Sequence, residues 1–115
     1  PPDLGGQNHG SRPMEMILMG LGGCASFDVV SMLQKGRQKI VSCIAECSAE
    51  RADTVPAVFT KIHLNFVISG QQLKESLVKR AVTLSAEKYC SASILMERAG
   101  VKLTHSYVIH EIKND

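Results

Sequence analysis

From Phe59 to Ser69 the chain alternates: Ile62, Leu64, Phe66 and Ile68 fall on one side, Lys61, His63 and Asn65 on the other. A period of two with one apolar side is the pattern of a strand with one buried and one wet face. Residues 39–51 carry a weaker alternation that puts Val41, Cys43, Ala45 and Cys47 on one face, and residues 101–112 read as a final strand. The other apolar stretches have helical spacing. Met14 to Lys35 predicts one long helix, apolar nearly all round in its first half and therefore buried. Ser11 or its neighbours supply the cap, Pro13 sits in the first turn, and Gly36 is a C′ stop. Residues 71–89 predict a second helix through Leu77, Ala81 and Leu84; the pattern restarts near Tyr89–Cys90, and residues 91–100 predict a third, ended by Gly100. Residues 1–12 and the segment after Arg51 are loop-like. The order loop, long helix, strand, strand, helix, helix, strand is α+β, with an antiparallel sheet and helices packed on one side.

Composition narrows this picture. The chain has 115 residues, enough for one domain spanning 1–115. Hydrophobic residues make up 44% of it, so a real core is expected, and with no Trp, two Tyr and three Phe that core is aliphatic with Met as filler. A net charge of +2 without any basic block argues against a nucleic-acid partner. The longest uncharged apolar run, Met16 to Phe27, falls short of the roughly 20 residues of a membrane span. No basic-then-apolar leader is visible, so the expectation is a cytoplasmic protein with no membrane association. The chain opens on Pro-Pro rather than Met, and residues ahead of Pro1 are expected to have been removed or left out.

The candidate chemistry is in the thiols. Cys24, Cys43, Cys47 and Cys90 form no C-x-x-C, and His9, His63, His105 and His110 complete no zinc spacing, so neither a metal nor a cofactor is expected. Cys43 and Cys47 read as core fillers. His63 reads as solvated, and His105 and His110 fall on opposite faces of the last strand. Cys24 sits in "MGLGGCASFD", where Gly20, Gly22 and Gly23 each cost roughly 0.8–1.0 kcal/mol of helix propensity. Such a cost implies close approach to the helix backbone by another helix, a second subunit or a substrate. Asp28 lies at i+4 from Cys24. Alone it would raise the thiol pKa; it helps only by holding a cation, and the candidates Arg12 and Arg37 stand at the two helix ends. Cys90 opens the third helix, where free N–H groups favour an anion. Each cysteine by itself fits an inert core residue. Together, one on each major helical unit, the two could meet across a helix–helix interface.

The stretches "LGGQNHGSRPMEMILMGLGGCASFDVV" and "SAEKYCSASILMERAGVKLTHSYVI" resemble the OsmC/Ohr family (osmotically inducible protein C and organic hydroperoxide resistance protein), in its YhfA-like branch. The resemblance runs from Leu4 to about Ile112. It implies an OsmC-like fold in which antiparallel sheets wrap long central helices, an intertwined homodimer, and active sites at the subunit interface. It also implies that Cys24 attacks an organic hydroperoxide and becomes a sulfenic acid, that Cys90 resolves it as a disulfide, and that an external dithiol reductant closes the cycle. The family's N-terminal strands, which carry its catalytic arginine, are expected to be missing from this chain, so that arginine is assigned to no residue here. The family's glutamate lies ten residues before the first cysteine. Here that position is Met14, and Glu15, nine before, is turned by about 180° on an ideal helix. Glu15 is a candidate only through a frayed first turn or from the other subunit, and Asp28 is the alternative acidic partner. A second reading keeps the fold as a stress-related or small-ligand-binding protein with little or no peroxidase activity. A third is a structural dimer with inert thiols.

Overall fold

The computed structural model describes residues 13–113; the expected cap Ser11, the cation candidate Arg12 and the opening loop lie outside them. The elements are α1 (Pro13–Lys35), β1 (Lys39–Arg51), β2 (Phe59–Gln71), α2 (Glu75–Leu84), a π-helical turn (Ser85–Tyr89), α3 (Ser91–Arg98) and β3 (Lys102–Glu111). The sheet has the order β1-β2-β3. Its core is the face read from the alternation: Ile62, Leu64, Phe66 and Ile68 are buried, with Leu21, Ala25, Val29 and Leu33 of α1 and Val78, Ala81 and Val82 of α2. The α1 residues recur every four positions, so one stripe of that helix lies against the other core residues.

The expected all-antiparallel sheet is wrong in one pairing. β1 and β2 are antiparallel, but β2 and β3 are parallel, with Phe66 opposite Ala45 on one side and Tyr107 on the other. The connection from β2 holds α2, the π turn and α3, and this crossover carries the chain back to the starting end before β3 begins. The face assigned to β1 also needs correction. A bulge between Ile40 and Ser42 puts Val41 out in solvent, while Cys43, Ala45 and Cys47 turn toward α1. The helix expected over 71–89 starts at Glu75, because β2 runs through Gln71 and Gln72 turns with φ 52°.

The stop after α1 is displaced by one residue. The N–H groups of Arg37 and Gln38 donate to Gln34 O and Leu33 O, and the left-handed residue is Arg37, φ 59°, not Gly36. α3 ends in the same way at Gly100, φ 93°, as expected.

Burial of α1 is one-sided rather than all round: Met16, Ile17, Met19 and Phe27 are exposed. By length and composition this 23-residue helix could also cross a bilayer, since its central stretch is interrupted only sparsely by charge. Only 28% of that stretch is buried within the chain.

Candidate functional site

Three short-range devices bring residue 90 to residue 24. The Ser85 hydroxyl, fully buried, donates to Ala25 O at 2.7 Å, pinning the π turn to α1 one residue past Cys24. The Cys90 N–H donates to Ser85 O at 2.9 Å, closing that turn. Cys90 then caps α3 from an extended conformation (φ −75°, ψ 110°), its sulfur accepting from the Ser93 N–H at 3.4 Å. Side chains that cap a helix from this position usually do so with oxygen; here it is sulfur.

The result is a thiol pair. Cys90 Sγ donates to Cys24 Sγ at 3.0 Å, and both cysteines are free. A disulfide needs about 2.05 Å, so the sulfurs are one small approach from bonding. Cys24 is partly accessible and Cys90 is fully buried. Burial is the main influence on Cys90 and pushes its thiol above the ordinary range. The Ser93 hydroxyl and N–H pull the other way, Cys24 adds to the rise, and the net direction is up. The anion-favouring helix start expected for Cys90 is present, but desolvation outweighs it, and the proton stays on as the donor toward Cys24.

Asp28 joins the pair. One of its carboxylate oxygens lies within 4.8 Å of both sulfurs, and Oδ2 is buried without a hydrogen-bond partner. Among the described residues it has no ion-pair partner. Among the described residues, these three side chains lie close enough together that they could hold a metal ion. Asp28 also lines a cavity of about 670 Å³ between α1 and α2, together with Met32, Leu77, Arg80, Leu84 and Tyr89. The sulfurs do not line it, so Asp28 is the link between cavity and thiols.

Glu15 is placed elsewhere. It is exposed and lines a separate groove of about 550 Å³ between α1 and β1, beside Leu18, Cys43 and Cys47. Nine residues carry it to the opposite side of the helix from Cys24, so within one chain the two are not brought together. Arg37 stands past the far end of α1. Cys43 and Cys47 behave as expected of packing residues. Burial pushes Cys43 up to about 11 and Cys47 up as well, and Cys47 Sγ donates to Leu18 O at 3.6 Å.

Of the three glycines, only Gly22 is closely approached by other described residues. A Cβ there would stand 2.9 Å from Cys47 Sγ, while Gly20 and Gly23 face open space. Ser85 and Ser93 escaped the sequence reading, although Ser93, three residues after Cys90, has the spacing of a cap partner. So did a polar ladder on the outer sheet face. His63 bonds Thr104 Oγ1 at 2.6 Å and Ser106 Oγ at 2.8 Å, and Ser106 donates on to Asn65 Oδ1.

The model of the OsmC-like protein family matches residues 6–106. Protein YhfA of Escherichia coli K12 is 53% identical over 97 residues, 84% of this chain and 72% of that protein. The chain belongs to the OsmC-like family. The fold agrees: a hypothetical protein from Aquifex aeolicus superposes with a TM-score of 0.84 at 28% identity, covering 91% of this chain and 78% of the other. An organic hydroperoxide resistance protein OsmC from Legionella pneumophila superposes at 0.71 with 18% identity, covering 93% and 76%. At that identity the likeness is one of OsmC fold alone.

Proposed function

We propose that this OsmC-like chain is a two-cysteine peroxidase acting on organic hydroperoxides in stress defence. The observation that carries the reading is the 3.0 Å contact between Cys24 and Cys90. Cys24, the more accessible sulfur, attacks as thiolate on a peroxide oxygen; the O–O bond breaks, the sulfur becomes a sulfenic acid, and the leaving alkoxide takes up the proton the thiol had released and departs as the alcohol. Cys90 then attacks that sulfur, its proton and the sulfenic hydroxyl leave as water, and the disulfide forms. An external dithiol reduces it by two exchanges and is itself oxidised. Asp28 takes the acidic role beside the pair. Glu15 enters only if a second copy of the chain brings it there. The working unit in this reading is a homodimer in a reducing, cytoplasmic setting.

The rival reading, a small-ligand-binding protein of the same fold, draws support from the cavity beside Asp28, which has apolar walls of Met32, Leu77 and Leu84 but no sulfur of the thiol pair in its lining. Thiol counting separates the two. Reduced full-length protein given excess cumene hydroperoxide is expected to lose two thiols per chain and gain a Cys24–Cys90 disulfide. Cys24→Ser should lose none, and Cys90→Ser should stop at a sulfenic acid that dimedone traps. Unchanged thiols in the wild-type protein, with an apolar fluorescent probe bound, would put the ligand-binding reading in its place.

A further inference from the structure

We infer that the reduced thiol pair and Asp28 form a binding site for a thiophilic divalent cation of the zinc class. The residues meet the requirements one by one. Cys24 and Asp28 are four apart on α1 and share a face, and Cys90 reaches them from the start of α3. Their ligand atoms all lie within 4.8 Å of one another. Tetrahedral zinc with Zn–S of about 2.3 Å sets its sulfurs about 3.8 Å apart, so the pair, now at 3.0 Å, needs to open by about 0.8 Å. Two side-chain torsions can supply that movement.

The charge balance points the same way. Among the described residues Asp28 has no ion-pair partner. Asp28 Oδ2 is an acceptor buried without a donor, a condition that costs free energy until a proton or a cation fills it. Two sulfurs and one oxygen select against magnesium and calcium, which take oxygen, and in favour of zinc, cobalt and cadmium. Asp28 also lines the cavity between α1 and α2, so one of the three ligands borders open space. No comparable set exists elsewhere among the described residues. Cys43 and Cys47 share their groove with Glu15, and His105 and Glu87, 3.9 Å apart, share theirs with Glu97, but neither set brings three ligand atoms within 4.8 Å of one another.

This site does not depend on peroxidase chemistry, although ion and peroxide would compete for the same sulfurs. The test uses the full chain, reduced, stripped with a chelator and freed of small thiols under anaerobic conditions. Titration with Co²⁺ should give one equivalent per chain, the visible bands of tetrahedral cobalt and an ultraviolet thiolate-to-cobalt band, all removed by Zn²⁺. Asp28→Asn, which keeps the shape, should bind about tenfold or more weakly. Cys43→Ser should bind like the wild type. Because Cys24→Ser could fold poorly, a second measurement uses the native chain: Zn²⁺ should protect the partly accessible Cys24, and neither Cys43 nor Cys47, from iodoacetamide. Absence of the cobalt bands, unchanged affinity in Asp28→Asn, or zinc protection at Cys43 and Cys47 instead would overturn the site. Thiol counting on chelator-stripped protein with hydroperoxide reads the peroxidase proposal separately, so either can fail alone.

Discussion

Arg37 holds φ 59°, a conformation that crowds the Cβ of any L-residue, and its side chain is exposed. Glycine at that position keeps both capping hydrogen bonds and removes the crowding. Arg37→Gly is therefore expected to stabilise the chain by about 1 kcal/mol, read as a higher denaturant midpoint at unchanged slope. Cys43 makes a pH prediction. Burial raises its thiol from 9.0 to about 11, so between those values the unfolded chain has lost the proton and the folded chain still binds it. The native state then holds more protons, and stability falls as pH rises through that window, by about 1–2 kcal/mol once partial exposure is discounted. Cys43→Ala should flatten the decline relative to the wild type; an equal decline in both would show that the thiol is not its source. At this scale the site was half legible. Cys24, Asp28 and Cys90 stood out by residue type and position. The net direction on Cys90 did not, because the helix start that lowers a thiol can be read from sequence, while the burial that outweighs it depends on what packs around residue 90.

Between Ser85 and Tyr89 the chain makes a π turn, with one residue more than an α-helical turn would hold. That extra residue sets the direction in which Cys90 leaves. Deleting the exposed Glu87 shortens that turn by one residue, so the Cys90 N–H can no longer close it on Ser85 O as an i→i+5 bond, and the hold that sets Cys90 opposite Cys24 is lost. The expected outcome is a folded chain in which hydroperoxide no longer yields the Cys24–Cys90 disulfide, measured by mass spectrometry of non-reduced peptides. Glu87→Ala, which keeps the residue count, should still form it. Helix periodicity could not reveal this turn, since Ala81, Leu84 and their neighbours fit an unbroken helix equally well. The parallel pairing of β3 was hidden for a related reason. Alternation shows which face of a strand is buried, not the direction in which the strand runs. The helical connection was visible in the sequence, and its length permits the return to the starting end that a parallel pair needs and a hairpin cannot make. Gly22 tests the contact between α1 and β1. Gly22→Ala pushes a Cβ against Cys47 and is expected to cost about 1–3 kcal/mol in thermal or chemical unfolding.

The described residues form a body that is thin and extended for its length. Its principal extents are 50 × 32 × 17 Å and its radius of gyration is 16.0 Å, against about 13 Å for a compact chain of this size. The exposed side of α1 carries Met16, Gly20, Gly23 and Phe27, spaced by four, three and four so that they share one face, with Met19 beside them. Two large apolar groups flank two bare stretches of backbone, a shape that lets a second helix lie close. The homodimer proposed above would fill it, and alanine at Gly23 distinguishes the possibilities by sign. In a monomer nothing among the described residues meets the new Cβ, so Gly23→Ala gains the helix propensity of alanine and stabilises by about 0.8–1.0 kcal/mol. In a dimer packed over the glycines the same methyl group collides with the partner, and stability falls and comes to depend on protein concentration. Sedimentation of the wild type should give a dimer, with Gly23→Ala and Phe27→Glu shifted toward monomer. A monomeric wild type stabilised by Gly23→Ala would remove the dimer. If that monomer also bound lipid vesicles, the uncovered apolar length of α1 would be a membrane-facing surface instead.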